Sequence, residues 1–367
     1  MNINCITTPG GCGHGATNSV TKRTGSASSA GAWRRSGRTR YGTSSLATEP
    51  LQVIVPRPRP PLVVGISECL TGAQVRYDGN HKRDGLPQSR QLEALFEWRG
   101  FCPEVAVGMG VPRPPIRLVG DLAAPRAVGV DDSTEDFTDA LADYAATVVR
   151  ETGLDLAGYV FTEDSPSCGL YSVNVFADES NNPVPNGRGI YADALCHALP
   201  ELPVEEAGRL FDAGIRESFV DRVFAYAHWS ALRRAGLSST ALNEFHGCYE
   251  YLLMAHSVAH SRRVADLFSG FQGPPHALGD RYLRLLLTGL GQAATRASHA
   301  NALLHLEGQL DGLDRAQRGE LKSQISGFRA GEVAFQEVAA ALREGCAATG
   351  RVDLHNQVYL TRPGSLE

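Results

Sequence analysis

Three cysteines, Cys69, Cys102 and Cys168, each enter a loop built of turn-forming residues. They stand in Ser67-Glu-Cys-Leu-Thr-Gly72, Phe101-Cys-Pro-Glu104 and Ser165-Pro-Ser-Cys-Gly169. A free cysteine in an apolar periodic run is an ordinary small hydrophobe. These three lie instead among Pro, Gly, Ser and Thr, where a thiolate can reach a ligand. A closed zinc site wants four ligands, and paired CxxC motifs are its usual signature. No CxxC is present, and His81 stays open as a fourth partner. A four-iron cluster normally takes four thiolates. With three, one iron is left open and can act as a Lewis acid on a substrate atom. Spacing alone leaves zinc, an iron–sulfur cluster and plain buried thiols all open.

The elements around the cysteines say how they could meet. Leu62 to Ile66 is a short apolar, β-branched run, the pattern of a buried strand. Gln91 to Trp98 has helical apolar spacing at Leu92, Leu95 and Phe96. Ile116 to Val119, Gly158 to Phe161 and Tyr171 to Phe176 read as strands. Phe137 to Val149 and Gly187 to Leu199 read as helices. Strands alternating with helices predict an α/β N-terminal domain with a mainly parallel sheet. In such a sheet, loops leaving the carboxyl ends of strands converge on one crevice. From Leu210 the period becomes helical, over 215–234, 239–268, 281–310 and 315–344, with a last strand signal at Val358 to Leu360. An all-α helical domain is expected there. The predicted organisation is a basic tail over 1–60, an α/β domain over 61–205 and a helical domain over 206–367.

Composition excludes several classes. The chain has 367 residues and a formal net charge of −5, so it is not a uniformly basic nucleic-acid protein. The charge is uneven: +7 over residues 1–60, −12 over 61–244 and zero over 245–367. The stretch Thr21 to Ser45 has too few large aliphatics to offset its ordering entropy, so a disordered tail is expected. A flexible arm, a transit peptide and a start placed too far upstream are its three readings. No apolar run reaches the roughly 18–20 residues needed to span a bilayer, and Arg284 breaks the longest candidate, Tyr282 to Leu290. Eight cysteines in so long a chain are too few for a disulfide scaffold and fit a cytoplasmic protein.

Ser67-Glu-Cys-Leu-Thr-Gly-Ala-Gln-Val-Arg-Tyr-Asp-Gly79, Cys102-Pro-Glu104, Gly110-Val-Pro-Arg-Pro-Pro-Ile-Arg-Leu118 and Asp164-Ser-Pro-Ser-Cys-Gly169 occur in that order. Together they resemble the thiouracil desulfidase (TudS-like) family over roughly residues 61–205. The resemblance implies a 4Fe–4S cluster on Cys69, Cys102 and Cys168, with the fourth iron open to the sulfur of a thiolated pyrimidine. The second half resembles a YbgA-type helical domain, on Arg216 to Tyr226, Phe245-His246, Tyr251 to Ser257, His260 and Gln357 to Leu360. The combination resembles the RudS-like desulfidases, which act on 4-thiouridine in tRNA. That implies tRNA as partner; neither DNA nor a membrane is expected. The segment after Phe245-His246, basic in that pattern, reads Gly247-Cys-Tyr-Glu250 here. The helical domain is neutral overall, whereas phosphate contacts need Lys and Arg. A small thiopyrimidine base or nucleoside therefore stays open as the substrate. Arg233, Arg234, Arg262 and Arg263 are a candidate basic patch.

The expected reaction replaces sulfur by oxygen with no net redox change of the substrate. Glu104, two residues from a ligand, is the first candidate for the base or nucleophile. Its alternative role is an acceptor that orients the loop. Ser165 and Ser167 are candidate catalytic hydroxyls, with turn chemistry as the plainer reading. Arg76, Tyr77, Asp78 and Arg113 are candidates to bind the substrate, although Asp78-Gly79 is also a common turn. His256 and His260 have the i, i+4 spacing of metal ligands but lack an acidic third partner; packing or RNA contact is the better reading. A non-catalytic iron–sulfur protein that binds RNA or senses redox state is the competing class.

Overall fold

Four strands of the α/β part are parallel neighbours. The computed structural model describes residues 56–87, 90–177 and 183–362. The expectations for the tail lie outside the described residues up to position 55. The α/β part contains β1 (Leu62–Ser67), α1 (Arg90–Leu95), β2 (Phe96–Phe101), α2 (Pro103–Ala106), β3 (Ile116–Asp121) and β4 (Ala124–Gly129). It continues with α3 (Thr138–Thr152), β5 (Gly158–Phe161), β6 (Val173–Phe176), β7 (Pro183–Gly187), α4 (Ile190–Ala198) and β8 (Val204–Glu206). One sheet has the order β2-β1-β5-β8 and is parallel throughout. The chain leaves β1 for β2 on one side and later fills β5 on the other. The strand order therefore reverses at β1, where a doubly wound sheet opens its crevice.

A second sheet, β4-β3-β6-β7, pairs β3 with β6 in parallel and adds antiparallel hairpins at both edges. The expected mainly parallel sheet is the first one, and the second sheet is an addition to it. The strand read at Ile116 to Val119 is β3, whereas β4, which opens Ala-Pro-Arg-Ala, carries too weak an apolar alternation to be read from sequence. The predicted helix over Gln91–Trp98 also divides. Leu92 and Leu95 belong to α1, but Phe96 and Trp98 open β2 beside β1.

The helical part comprises α5 (Ala213–Ala235), α6 (Ser239–His256), α7 (Val258–Gly270), α8 (Pro275–Leu290), α9 (Arg296–Glu307), α10 (Arg315–Ala330), α11 (Phe335–Ala348) and α12 (Val352–His355). The expected 239–268 helix breaks at Ser257, whose side chain caps α7 by accepting from the His260 amide. Val358–Leu360 is a buried 3-10 turn, not a strand. Among the described residues no helix is long and apolar enough to cross a membrane.

One face of the parallel sheet, with Val64, Ile66 and Val160, packs on Phe219, Val223 and Phe224 of α5. The other face, with Tyr159 and Phe161, packs on Val148 of α3 and Tyr191 and Leu195 of α4. Further along, α5 puts Trp229 and Leu232 into the helical core. A fully buried side chain of this size contributes roughly 1.5–3 kcal/mol. α5 is thus the cover of the sheet and the first wall of the helical part at once.

Beside that helix lies a buried polar network. Asp221 accepts from His256 Nε2 at 3.0 Å and from Arg362 at 3.3 Å. Glu217 pairs with Arg362 and lies 3.4 Å from His299 Nε2. His299 Nδ1 meets the Tyr359 hydroxyl at 3.0 Å. His256 is therefore turned inward, while His260 Nδ1 bonds the Ser257 hydroxyl at 2.9 Å. The two histidines lie on separate helices, and the metal-spacing reading falls with the helix break.

Candidate active site

Each of the three cysteines follows the carboxyl end of a neighbouring parallel strand. Cys69 lies in a 3-10 turn after β1, Cys102 directly after β2 and Cys168 in the loop after β5. All three line one cavity of about 380 Å³. Burial pushes all three thiols above their ordinary range. At Cys69 the charges of Arg76 and Lys82 pull the other way, whereas Cys102 adds to the rise. At Cys168 both other cysteines add to the rise.

The donor set bears on which metal fits. No histidine lines this cavity, and His81 Nδ1 instead accepts from the Arg83 amide at 3.4 Å. The zinc reading thereby loses its suggested fourth ligand. Among the described residues no group of three ligating side chains is drawn in around a single metal ion. A four-iron cube spaces its thiolates wider than one ion does. Three converging thiols, no fourth, and free volume between them fit such a cluster with one iron unligated by protein. Cys102 Sγ lies 3.8 Å from the Val75 carbonyl, its hydrogen-bond partner.

Glu104 lies in the first turn of α2 and lines the cavity. Both its oxygens are engaged. Oε2 accepts from Arg113 Nε at 2.8 Å and Nη2 at 2.5 Å, and Oε1 accepts from Ser167 Oγ at 2.8 Å. Arg113 is buried and also donates to Gly110 O at 2.9 Å and Val75 O at 2.9 Å. Arg113 also lines the cavity, and its guanidinium joins three chain segments through its bonds to Glu104, Gly110 O and Val75 O.

The serines divide in the same way. Ser165 lines the cavity, but its hydroxyl accepts from the amides of Ser167 at 3.2 Å and Cys168 at 3.0 Å. Ser167 is fully buried and does not line the cavity. Just before them Asp164 takes a left-handed φ of 62°, a conformation Asp tolerates better than most residues. Behind them the first turn of α4 grips the loop: Ile190 N donates to Pro166 O at 3.0 Å and Ala192 N to Ser167 O at 3.1 Å. Glu206 at the end of β8 accepts from Leu170 N at 2.8 Å and Tyr171 N at 3.1 Å.

Arg76 and Tyr77 line the cavity mouth, with the Arg76 guanidinium 5.7 Å from the Tyr77 ring centre. Asp78 does not line it; its side chain accepts from the Asn80 amide at 3.0 Å and so closes a turn. Lys82 and Glu163 were not singled out from sequence, yet both line the cavity and pair at 2.9 Å. Their offset from the cysteine motifs carries no signal; only the meeting of the β1 and β5 loops reveals them. In the helical part Arg233 pairs with Asp280 at 3.6 Å, and Arg234 donates to Leu154 O at 3.2 Å. Half of the candidate basic patch is thus engaged within the protein.

Residues 64–207 match the family model described as 2-thiouracil desulfurase. The uncharacterized protein YbbK of Bacillus subtilis (strain 168) is 30% identical over 112 residues, 28% of this chain and 71% of that protein. The chain belongs to the 2-thiouracil desulfurase family. The family match spans all three cysteines, Glu104, Arg113 and the Lys82–Glu163 pair. Residues 250–363 match a second family model, described as a protein of unknown function, DUF1722. The uncharacterized protein YbgA of Escherichia coli (strain K12) is 27% identical over 121 residues, 32% of this chain and 70% of that protein. A solved structure described as a [4Fe-4S]-dependent thiouracil desulfidase, TudS, is 26% identical, covers 41% of this chain and 93% of its own, and superposes with a TM-score of 0.32.

Proposed function

We propose that the protein is an iron–sulfur-dependent desulfidase that converts 4-thiouridine in tRNA to uridine and sulfide. The observation that carries the reading is the convergence of Cys69, Cys102 and Cys168 on one cavity beside Glu104. Family membership supplies the chemistry of a thiolated pyrimidine. In this reading residues 61–205 carry the reaction and 206–367 engage the RNA, in the cytoplasm.

The overall change is balanced by water. A carbon–oxygen bond forms, the carbon–sulfur bond breaks, and sulfur leaves as hydrogen sulfide with the two protons that water brought. A cluster bound on Cys69, Cys102 and Cys168 supplies a Lewis acid for the thiocarbonyl sulfur. The protein must orient the ring and the attacking water. Glu104 is the acceptor for that water's proton. Each carboxylate oxygen has two acceptor sites; Arg113 fills both on Oε2, and the bond from Ser167 leaves one open on Oε1. Arg113 and Ser167 hold the carboxylate in place. Ser165 holds the Cys168 amide. Arg76 and Tyr77 meet the ring at the mouth, where an exposed tyrosine face suits base stacking.

A second reading keeps the chemistry and changes the substrate to a free thiopyrimidine base or nucleoside. The neutral charge of residues 245–367 and the Gly247-Cys-Tyr-Glu250 segment favour it. One experiment separates the two. The protein is reconstituted anaerobically with iron and sulfide, then given 4-thiouridine-containing tRNA, free 4-thiouridine and 2-thiouracil, and sulfide release is measured. Release from tRNA alone is the expected result. Release from the free compounds alone moves the substrate. Iron-loaded protein that releases no sulfide from any of them points to the non-catalytic class, and protein that takes up no iron defeats the cluster.

A further inference from the structure

The cavity's hydrogen-bond donors are unequally committed. Arg113 is spent on Glu104, Gly110 O and Val75 O. Lys82 is different. Its ammonium meets Glu163 Oε1 at 2.9 Å, and that is one of three N–H bonds it can donate. The pair ties the loop after β1 to the loop after β5, and both residues line the cavity. About a quarter of each side chain is exposed, so the ammonium is neither sealed in nor fully hydrated. The backbone fixes the same residue, since Lys82 N donates to Cys69 O at 2.8 Å. Lys82 and Cys69 line the same cavity. Burial pushes the Glu163 carboxyl up, but the bond to Lys82 and its charge weigh against this and the group lies below its ordinary range; Oε2 is buried without a hydrogen-bond partner among the described residues.

Attack on a thiocarbonyl carbon drives negative charge onto the sulfur and the ring. A prepositioned cation in a half-dry cavity stabilises that charge more than it stabilises the neutral ground state. We propose that Lys82, steadied by Glu163, donates to the bound thiopyrimidine as negative charge develops on it. The inference rests on the desulfidase reading above and assigns that site a substrate-contacting residue. Glu163 is a positioning residue, because it acts through Lys82.

The test uses the iron-loaded full chain. Lys82→Met, Lys82→Arg and Glu163→Gln are compared with wild type for kcat, KM, affinity for uracil by calorimetry, visible absorption and thermal midpoint. Lys82→Met is expected to lower kcat about 10²–10³-fold, as loss of one such donor does. KM and uracil affinity should stay within about threefold, because neutral ligands do not carry the charge that Lys82 meets. Lys82→Arg should recover part of kcat, and Glu163→Gln should lose less than Lys82→Met. Cluster absorption should persist throughout. A purely structural pair would lower the thermal midpoint without this split between kcat and KM. If Lys82→Met fails to fold, Lys82→Gln replaces it with the same expected kcat loss. Turnover by either neutral variant within about threefold of wild type overturns the inference and leaves the desulfidase reading intact. A wild-type protein that holds its cluster and turns over no thiopyrimidine overturns both.

Discussion

Ser167 donates its hydroxyl to Glu104 Oε1 at 2.8 Å, joining two loops whose residues stand 63 positions apart. Arg113 holds the other oxygen from a third loop. The Glu104 carboxylate is therefore a joint of the site as well as its candidate base. Arg113→Ala should cost about 3–5 kcal/mol, the penalty for leaving one partner of a buried pair alone. Arg113→Lys should rescue little, since an ammonium cannot reproduce the fork that meets Glu104, Gly110 and Val75 together. Chemical denaturation of the two variants measures both effects, and equal stability of Arg113→Lys and wild type would contradict the joint.

Ser167→Ala separates positioning from chemistry. The variant removes one neutral-to-charged hydrogen bond, worth about 1.5–3 kcal/mol. Its hydroxyl is outside the cavity, so the variant should keep the three thiols in place and still take up iron. Iron content per chain after reconstitution checks this. A variant that folds but binds no iron would place Ser167 among the determinants of the cluster itself.

Burial raises all three thiols, and this predicts how the metal-free protein behaves. The reactive form of cysteine is the thiolate. Cys69, Cys102 and Cys168 should therefore alkylate more slowly near neutral pH in the folded protein than in the unfolded chain. The linkage has a definite sign. A thiol with an unfolded pKa near 9.0 and a higher folded value stabilises the fold below pH 9 and loses that contribution as pH rises through the folded value. Thermal midpoints of metal-free protein should fall above pH 9. Iron-loaded protein, whose ligands are already thiolates, should show a flatter profile there.

Much of this site is legible in the sequence because its parts are local. The runs Leu62–Ile66 and Gly158–Phe161 are apolar and β-branched or aromatic, and they emerge as β1 and β5. The cysteine loops follow directly from their turn residues. Phe96 is the instructive failure. Its spacing from Leu92 continues a helix, but pairing with Leu62 in β1 draws it into a strand. Ser257 is another: a serine inside a long helical pattern is an N-cap signal, and it divides α6 from α7. Lys82 and Glu163 lie 81 positions apart, and only the closed sheet brings them to 2.9 Å. The role of Arg113 was legible as a charge near the motif but not as a spent one, because its partners come from three loops.

Gly189 sets how closely α4 approaches the Cys168 loop. A Cβ there would stand 2.5 Å from Ser167 C, 2.6 Å from Ser167 O and 2.8 Å from Cys168 N. Every one of these atoms is backbone and cannot swing away. Gly189→Ala must push the loop from α4 and loosen the bonds that Ile190 and Ala192 make to it. The expected result is impaired iron uptake with a lowered thermal midpoint. Gly247→Ala is the control, since a Cβ at that helical position meets nothing within 4 Å. Normal iron uptake by Gly189→Ala would show that the loop can shift without losing Cys168 as a ligand.

Arg362 holds the end of the described chain against α5. It pairs with Glu217 and lies 3.3 Å from Asp221, all three being buried. Removing it leaves two carboxylates facing each other in the core beside His256 and His299. Arg362→Ala should therefore cost about 3–5 kcal/mol. The pH dependence distinguishes this from simple loss of packing. Burial pushes the Glu217 carboxyl up, but the bond to His299 and the charge of Arg362 outweigh it and hold the group below its ordinary value of 4.5. A depressed carboxyl contributes stability above its unfolded pKa and loses it as pH falls through the folded value. Wild type should accordingly lose stability below about pH 4.5 as Glu217 takes up a proton. In Arg362→Ala the compensating charge is gone, burial dominates, and the carboxyl should rise. The variant should then gain relative to wild type on acidification, narrowing the gap between their thermal midpoints. A gap that stays constant from neutral pH to about pH 4 would mean that Arg362 acts through its packing on Phe335 and Tyr359 and not through its charge.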